Sequence, residues 1–232
     1  MNTLFVIPAR AGSKGLAGKN SIDVCGKPLI QYTIEQALEA DCGEVLVTSD
    51  CPKCLDIARE MKVTALKRPA ELAQDDTPII PVLHGVLNQC IILPDAICLL
   101  QPTSPVRPPG LIGNCLDELL GHTSAFTVAP IPHKYHPSAA LWHNGAWSRY
   151  DWHTQGGFEH TNRQQLGKRY YRTGQVYVFW SNLLFPSPPT IYGNNMWGVL
   201  RTDPDELINI DGPEDLDAFR RYLELKRNVS LN

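Results

Sequence analysis

The chain lacks the features that define several broad classes of protein. No apolar run reaches the ~20 residues that a membrane-crossing helix needs, and strand-like Thr3–Pro8 begins almost at Met1 without a charged and then apolar leader. A cytoplasmic protein that does not enter a membrane is expected. Charge excess is missing as well, because 21 Lys and Arg stand against 24 Asp and Glu, for a formal charge of −3. That balance gives no general attraction to nucleic acid or anionic lipid, so any bound anion must be held by a local group of cations. Cysteine is present but unorganised: seven scattered residues, an odd number, suit reduced thiols packed as small apolar groups better than a disulfide framework. Cys51 and Cys54 form a C-x-x-C after Ser49–Asp50, where a helix start could lower a thiol pKa. Zinc would want two more ligands at similar spacing, and no histidine stands nearby, so packing is the expected role. Internal repeats and low-complexity tracts are absent.

What is present suffices for one sizeable core. At 43% hydrophobic and 19% charged, 232 residues fold without a metal or disulfide, and residues 1–232 read as one domain. Leu4–Ile7, Glu44–Thr48, Val63–Ala65 and Ala96–Leu100 read as strands. Ile30–Ala40, Cys54–Met61 and Pro78–Gln89 read as the helices between them, with Asp50 and Thr77 as N-terminal caps. This β-α-β order predicts an α/β fold with parallel strands and right-handed crossovers. The stretch Pro130–Arg172, rich in His, Trp, Tyr, Gly and Arg, is too long for an ordinary connection and is expected to complete a site or a dimer. A strand follows at Gly174–Trp180, and Asp211-Gly-Pro-Glu-Asp-Leu announces a last helix.

Ligands of such sheets bind beyond the carboxyl ends of the strands, which singles out the loops Pro8–Asn20 and Gln101–Pro109. The first loop, Pro8-Ala-Arg-Ala-Gly-Ser-Lys-Gly-Leu-Ala-Gly-Lys-Asn20, carries three glycines and three cations. Glycines let backbone N–H groups approach phosphate oxygens, and Arg10, Lys14 and Lys19 can offset charge on a departing pyrophosphate. It is not a Walker A loop, since Ser13 stands where that motif needs glycine and Asn20 where it needs Ser or Thr. Glycines at 12, 15 and 18 do not make a dinucleotide fingerprint either. A surface turn with solvated cations is the plain alternative.

From Ile7 to Asn20 this loop resembles the N-terminal signature of the acylneuraminate cytidylyltransferases, the CMP-sialic acid synthetase family. The likeness continues through Gly26-Lys-Pro-Leu-Ile, Arg68-Pro-Ala-Glu-Leu-Ala, Leu99-Leu-Gln-Pro-Thr-Ser-Pro-Val-Arg107, Arg163-Gln-Gln-Leu and Ile210-Asp-Gly-Pro-Glu-Asp-Leu216. The resemblance implies a Rossmann-like three-layer α/β/α sandwich with a mostly parallel sheet and a small dimerisation subdomain, matched here by residues 130–172. It implies CTP as co-substrate, Mg²⁺, an acidic nine-carbon sugar and a homodimer. Arg10, Ser13, Lys14, Lys19, Asn20 and Arg68 fall on nucleotide-binding positions. Gln101, Arg163, Arg172 and Tyr177 fall on the sugar side, where a guanidinium fork suits a carboxylate. Asp211 is the metal candidate, with Asn209 beside it, and Lys14, Lys19 and Asp211 are the candidates for catalysis.

Three departures qualify that match. Asn209-Ile-Asp211 replaces Asp-Ile-Asp; alternation puts both side chains on one face, but Asn209 adds no charge. His136-Pro137 is followed by Ser138-Ala139 where some members place a lysine, for which Lys134 could substitute. Arg172-Thr-Gly-Gln replaces an arginine, residue, Asn-Gly pattern. The reaction implied is in-line displacement of pyrophosphate by the sugar's anomeric hydroxyl, for which no general base is identifiable. N-acetylneuraminate stands first as acceptor, with legionaminate, pseudaminate and Kdo as alternatives. A non-catalytic nucleotide-binding module is the alternative from another class.

Overall fold

The computed structural model describes residues 1–12, 15–137, 141–143, 147–149 and 167–229. Its main elements run β1 (Thr3–Pro8), β2 (Asp23–Val24), β3 (Lys27–Pro28), α1 (Leu29–Ala40), β4 (Glu44–Ser49), α2 (Pro52–Glu60), β5 (Thr64–Lys67), α3 (Ile79–Leu87) and β6 (Ala96–Leu99). They continue with α4 (Leu111–Leu119), β7 (Ser124–Pro130), β8 (Leu141–His143), β9 (Trp147–Arg149), β10 (Tyr170–Trp180), β11 (Met196–Leu200) and α5 (Pro213–Val229). Seven strands form one sheet in the order β11-β7-β10-β6-β1-β4-β5. Only β10 runs against its neighbours, so the sheet is mostly parallel, as expected.

Alternation along β1 explains the layering. Phe5 and Ile7 face a cluster with Ile30 and Ile34 of α1, Ala58 of α2 and Cys115 and Leu116 of α4. Leu4 and Val6 face the opposite side, with Leu83, Val86 and Leu87 of α3. Successive residues of a strand point to opposite faces, and burying each large side chain contributes about 1.5–3 kcal/mol, so both faces must be covered. A third cluster joins Leu29, Val106, Ile210, Leu216 and Phe219, and so seats the loop after β6 and the start of α5 on α1.

The structure corrects several boundaries. β10 begins four residues before the expected Gly174, at Tyr170. Gly174, at φ +81°, sits within a break of register between Arg172 and Tyr177, so a glycine that reads as a strand's edge is a bulge inside it. Asp50 does not cap α2: Cys51 takes that position without a side-chain bond, and the Asp50 carboxylate instead accepts the Ala11 N–H at 2.7 Å. Thr77 does not cap α3 either, because the helix starts later, at Ile79 behind Pro78. Of Pro130–Arg172, the described parts are the flanking strands, residues 131–137 and 167–169, and the antiparallel pair β8–β9.

Candidate functional site

The carboxyl end of β1 delivers the first group of residues. Ala9 N–H bonds to the Thr48 carbonyl at 3.0 Å, which ties the start of the glycine-rich loop to β4. Arg10 pairs with Asp75 and keeps a 34% exposed side chain. Asn20 is buried and donates its amide to the Arg10 carbonyl at 3.1 Å, while its Oδ1 has no partner among the described residues. Arg68, just beyond β5, is 6% exposed; Nη2 donates to the Thr48 carbonyl at 2.7 Å, and its Nε is buried without an acceptor among the described residues. Burial lowers the Arg68 pKa, Arg10 adds to that, and Asp50 opposes both. A cavity of about 350 Å³ runs from Thr48 and Arg68 along α3. An unmet buried polar atom costs about 1–3 kcal/mol. Here one atom wants an acceptor and the other a donor, and a nucleoside presents both.

The second group gathers where the chain enters α5. Ile210 N–H donates to the Thr103 carbonyl at 2.7 Å, and the buried Lys19 ammonium donates to the Ile210 carbonyl at 2.6 Å. Lys19 Nζ also lies 3.3 Å from Asp211 Oδ1, so its ammonium is turned toward the candidate metal ligand. Gly15 is required by this approach, because a Cβ there would stand 2.2 Å from the Asp211 carbonyl oxygen. The α5 N-terminus is served by Asp215, whose carboxylate accepts from Asp211 N–H at 2.9 Å and Gly212 N–H at 2.8 Å. The Asp211 carboxylate, 74% exposed, is therefore released from capping.

Magnesium fits this place in a restricted way. Among the described residues no group of three His, Cys, Asp or Glu side chains gathers to hold an ion. Magnesium keeps waters and takes one or two carboxylates together with substrate phosphates, which matches a single exposed carboxylate beside a cationic loop. Asn209 does share a face with Asp211, but it donates its NH₂ to Asp211 Oδ2 at 2.7 Å and receives Ser104 Oγ at Oδ1, 3.2 Å away. Ligation by its oxygen would require the amide to turn and release Ser104.

Of the residues expected on the sugar side, Gln101 ends the run after β6 and packs its Oε1 against Gly174, where a Cβ would approach to 2.9 Å. Arg172 is exposed and lies over the Tyr192 ring at 4.6 Å. Tyr177 is 9% exposed and belongs to the apolar cluster around β1, tilted against Phe126 at 6.1 Å between centroids. Burial raises its phenol pKa, Tyr192 adds to that, and Arg172 opposes both. The structure thus brings Arg10 and Asn20 together beside Arg68, Lys19 with Asn209 and Asp211, and Arg172 with Tyr177 and Tyr192. Ser13, Lys14 and Arg163 lie outside the described residues.

Sequence reasoning missed Asp75, Ser104, Arg107 and Asp215. Ser104 and Arg107 sit inside a motif already singled out, and the signal was their polarity in a proline-rich loop that has few N–H donors of its own. Asp215 stands three residues after Gly212, a spacing that announces a capping carboxylate.

Comparison with known proteins sharpens the picture. The cytidylyltransferase family profile matches residues 4–186. The CMP-N,N'-diacetyllegionaminic acid synthase of Legionella pneumophila is 31% identical over 241 aligned positions, covering 99% of each chain. The N-acylneuraminate cytidylyltransferase of Escherichia coli is 43% identical over 107 residues, 45% of this chain and 25% of that protein. A solved CMP:2-keto-3-deoxy-manno-octonic acid synthetase complexed with CTP superposes with a TM-score of 0.72 at 20% identity, over 97% of this chain and 100% of the other, a likeness of fold. With the profile spanning the sheet from β1 to beyond β10, this chain belongs to the cytidylyltransferase family.

Proposed function

We propose that this enzyme transfers the cytidylyl group of CTP to a nonulosonic acid of the sialic acid type, giving a CMP-sugar and pyrophosphate. The observation that carries the reading is the pair of buried, unmet atoms, Arg68 Nε and Asn20 Oδ1, beside a cationic loop at the carboxyl end of the sheet. Arg10 and Lys19 flank the path of the triphosphate, and Lys14 belongs to the same loop by sequence. Asp211 would hold Mg²⁺, which offsets charge on the phosphate oxygens. The anomeric hydroxyl forms a bond to the α-phosphorus as the bond to pyrophosphate breaks, and its proton leaves to solvent or a base. Gln101 and Arg172 orient the sugar, with Arg172 and Arg163 suited to its carboxylate. Positioning and charge stabilisation account for such a displacement without a covalent enzyme intermediate. Residues 1–232 act as one catalytic domain, and residues 130–172 join two copies in a homodimer.

N-acetylneuraminate is the first acceptor in this reading. The end-to-end match with a legionaminic acid synthase supports legionaminate as the second. Pyrophosphate release from CTP and Mg²⁺, measured with N-acetylneuraminate, N,N'-diacetyllegionaminate, pseudaminate and Kdo separately, tests it. Release with one acyl nonulosonate is expected; CTP binding without release for all four acceptors would refute transfer to these sugars.

A further inference from the structure

Arg107 stands where a charge is costly. It is 6% exposed, and among the described residues its hydrogen bonds end on neutral oxygens. Nε donates to the Gln175 carbonyl at 2.6 Å, and Nη2 donates to the Gln101 carbonyl at 2.8 Å. Nη1 reaches Gln36 Oε1 at 2.9 Å and Thr33 Oγ1 at 3.2 Å. A buried cation that meets no carboxylate loses its hydration without recovering a full counter-charge. Burial pulls its pKa down to about 9, with Cys98 opposing, so it still carries its charge at neutral pH.

What the guanidinium holds is the loop that carries Gln101. Residues 101–109 contain Pro102, Pro105, Pro108 and Pro109, and proline offers no N–H, so the loop is short of backbone donors. Side chains supply them. Gln36 Nε2 donates to the Pro105 carbonyl at 2.8 Å, Gln175 Nε2 donates to the Val106 carbonyl, and Arg107 takes the Gln101 carbonyl. The fork of Arg107 thereby fixes residue 101 relative to both α1 and β10. On the β10 side, Gly174 leaves just enough room for the Gln101 side chain.

We propose that Arg107 is a positioning residue for the sugar: it sets Gln101 against β10 without touching either substrate. This rests on Gln101 facing the sugar, as in the proposed function. Lysine keeps the charge but offers a single point where the fork meets opposed carbonyls, so Arg107→Lys should lose positioning. A misplacement of about 1 Å can cost about a hundredfold, and kcat/KM for the acyl sugar should fall about 10- to 100-fold while KM for CTP changes less than about threefold. Gln101→Ala should remove most of the further effect of Arg107→Lys, since a misplaced residue 101 no longer matters once its amide is gone. Gln36→Met, which leaves Arg107 in place but removes one of its acceptors together with the donor to the Pro105 carbonyl, should weaken sugar kcat/KM in the same direction by about threefold.

Unchanged sugar kinetics in folded Arg107→Lys would overturn the proposal, as would losses that multiply fully in the double variant. If Arg107→Lys does not fold, unchanged sugar kinetics in Gln36→Met overturns it instead. Wild-type enzyme silent with every acceptor would refute the substrate reading. Hydrogen exchange would then decide the positioning by itself. The Ser104 amide, bonded to the Gln101 carbonyl at 3.1 Å, should exchange faster in either variant, and unchanged exchange would overturn the proposal.

Discussion

Two cavities, each of about 350 Å³, lie at the edge of the sheet formed by β4 and β5. One is lined by the first residues of strands, Thr3, Glu44 and Thr64, together with the exposed Ile91 and Ile92. The other is lined by Thr48 at the end of β4 and by Arg68 beyond β5. Each is lined by a residue with an unmet buried side-chain atom, but at the amino end it is the neutral Thr3 hydroxyl, and at the carboxyl end it is the Arg68 guanidinium nitrogen Nε. Volume therefore does not distinguish them. Leaving a charged group's donor unmet is the costlier arrangement, and the carboxyl end is also where Lys19, Asn209 and Asp211 assemble.

The largest effect is expected at Asp211. Asp211→Ala should lower kcat for pyrophosphate release about 100- to 1,000-fold, the scale of losing one preorganised charge-stabilising group, with CTP still bound. A variant that kept a tenth of wild-type turnover would remove Asp211 from the account. Next, Arg68→Met should weaken CTP binding about 10- to 100-fold by calorimetric titration, as charge-assisted hydrogen bonds are worth about 1.5–3 kcal/mol. Ile92→Ser in the other cavity should leave that affinity within about twofold, as surface substitutions do. If the two variants weaken CTP equally, the comparison between the two ends fails.

A smaller, structural effect is expected from Gly174→Ala. At φ +81°, with a Cβ position 2.7 Å from Ser104 Oγ, it should cost about 1–3 kcal/mol of stability. Thermal unfolding should show that as a fall of roughly 2–10 °C in Tm. Least of all should change at the C-x-x-C. Burial pushes the Cys54 thiol up to about 12, so it stays protonated at pH 8. Alkylation should label exposed Cys42 well before Cys54, and Cys54→Ala should retain activity within about twofold.

The parallel half of the sheet was legible because each strand is a short apolar run followed by a helix of the right period, and β1, β4, β5 and β6 lie close to where those runs are. The antiparallel half was harder to read. β11 presents mostly exposed residues, Met196, Trp197 and Leu200 among them, so no buried face marks it in sequence. Gly113, a poor helix former, stands inside the unbroken α4, and the β10 bulge places a glycine where a strand would seem to begin. In the site, residue types in the loop after β1 pointed to Arg10, Lys14 and Lys19, because phosphate chemistry needs cations, whereas Asn20, Arg68 and Asp211 were expected from the family resemblance. Their partners were not legible, since Asp75 meets Arg10 from 65 residues away, and Ile210 and Asp211 meet Lys19 from 191 and 192 residues away. Whether Asp211 capped α5 or was free depended on Asp215, a choice that only geometry resolves.

The most direct test is to titrate CTP and Mg²⁺ into the isotopically labelled protein and follow each backbone amide by NMR. The account predicts the large shifts at Arg10–Asn20, at Arg68 and at Ile210–Gly212, with Cys90–Leu93 unmoved. Shifts centred on Cys90–Leu93, with Arg68 and Asp211 silent, would contradict it.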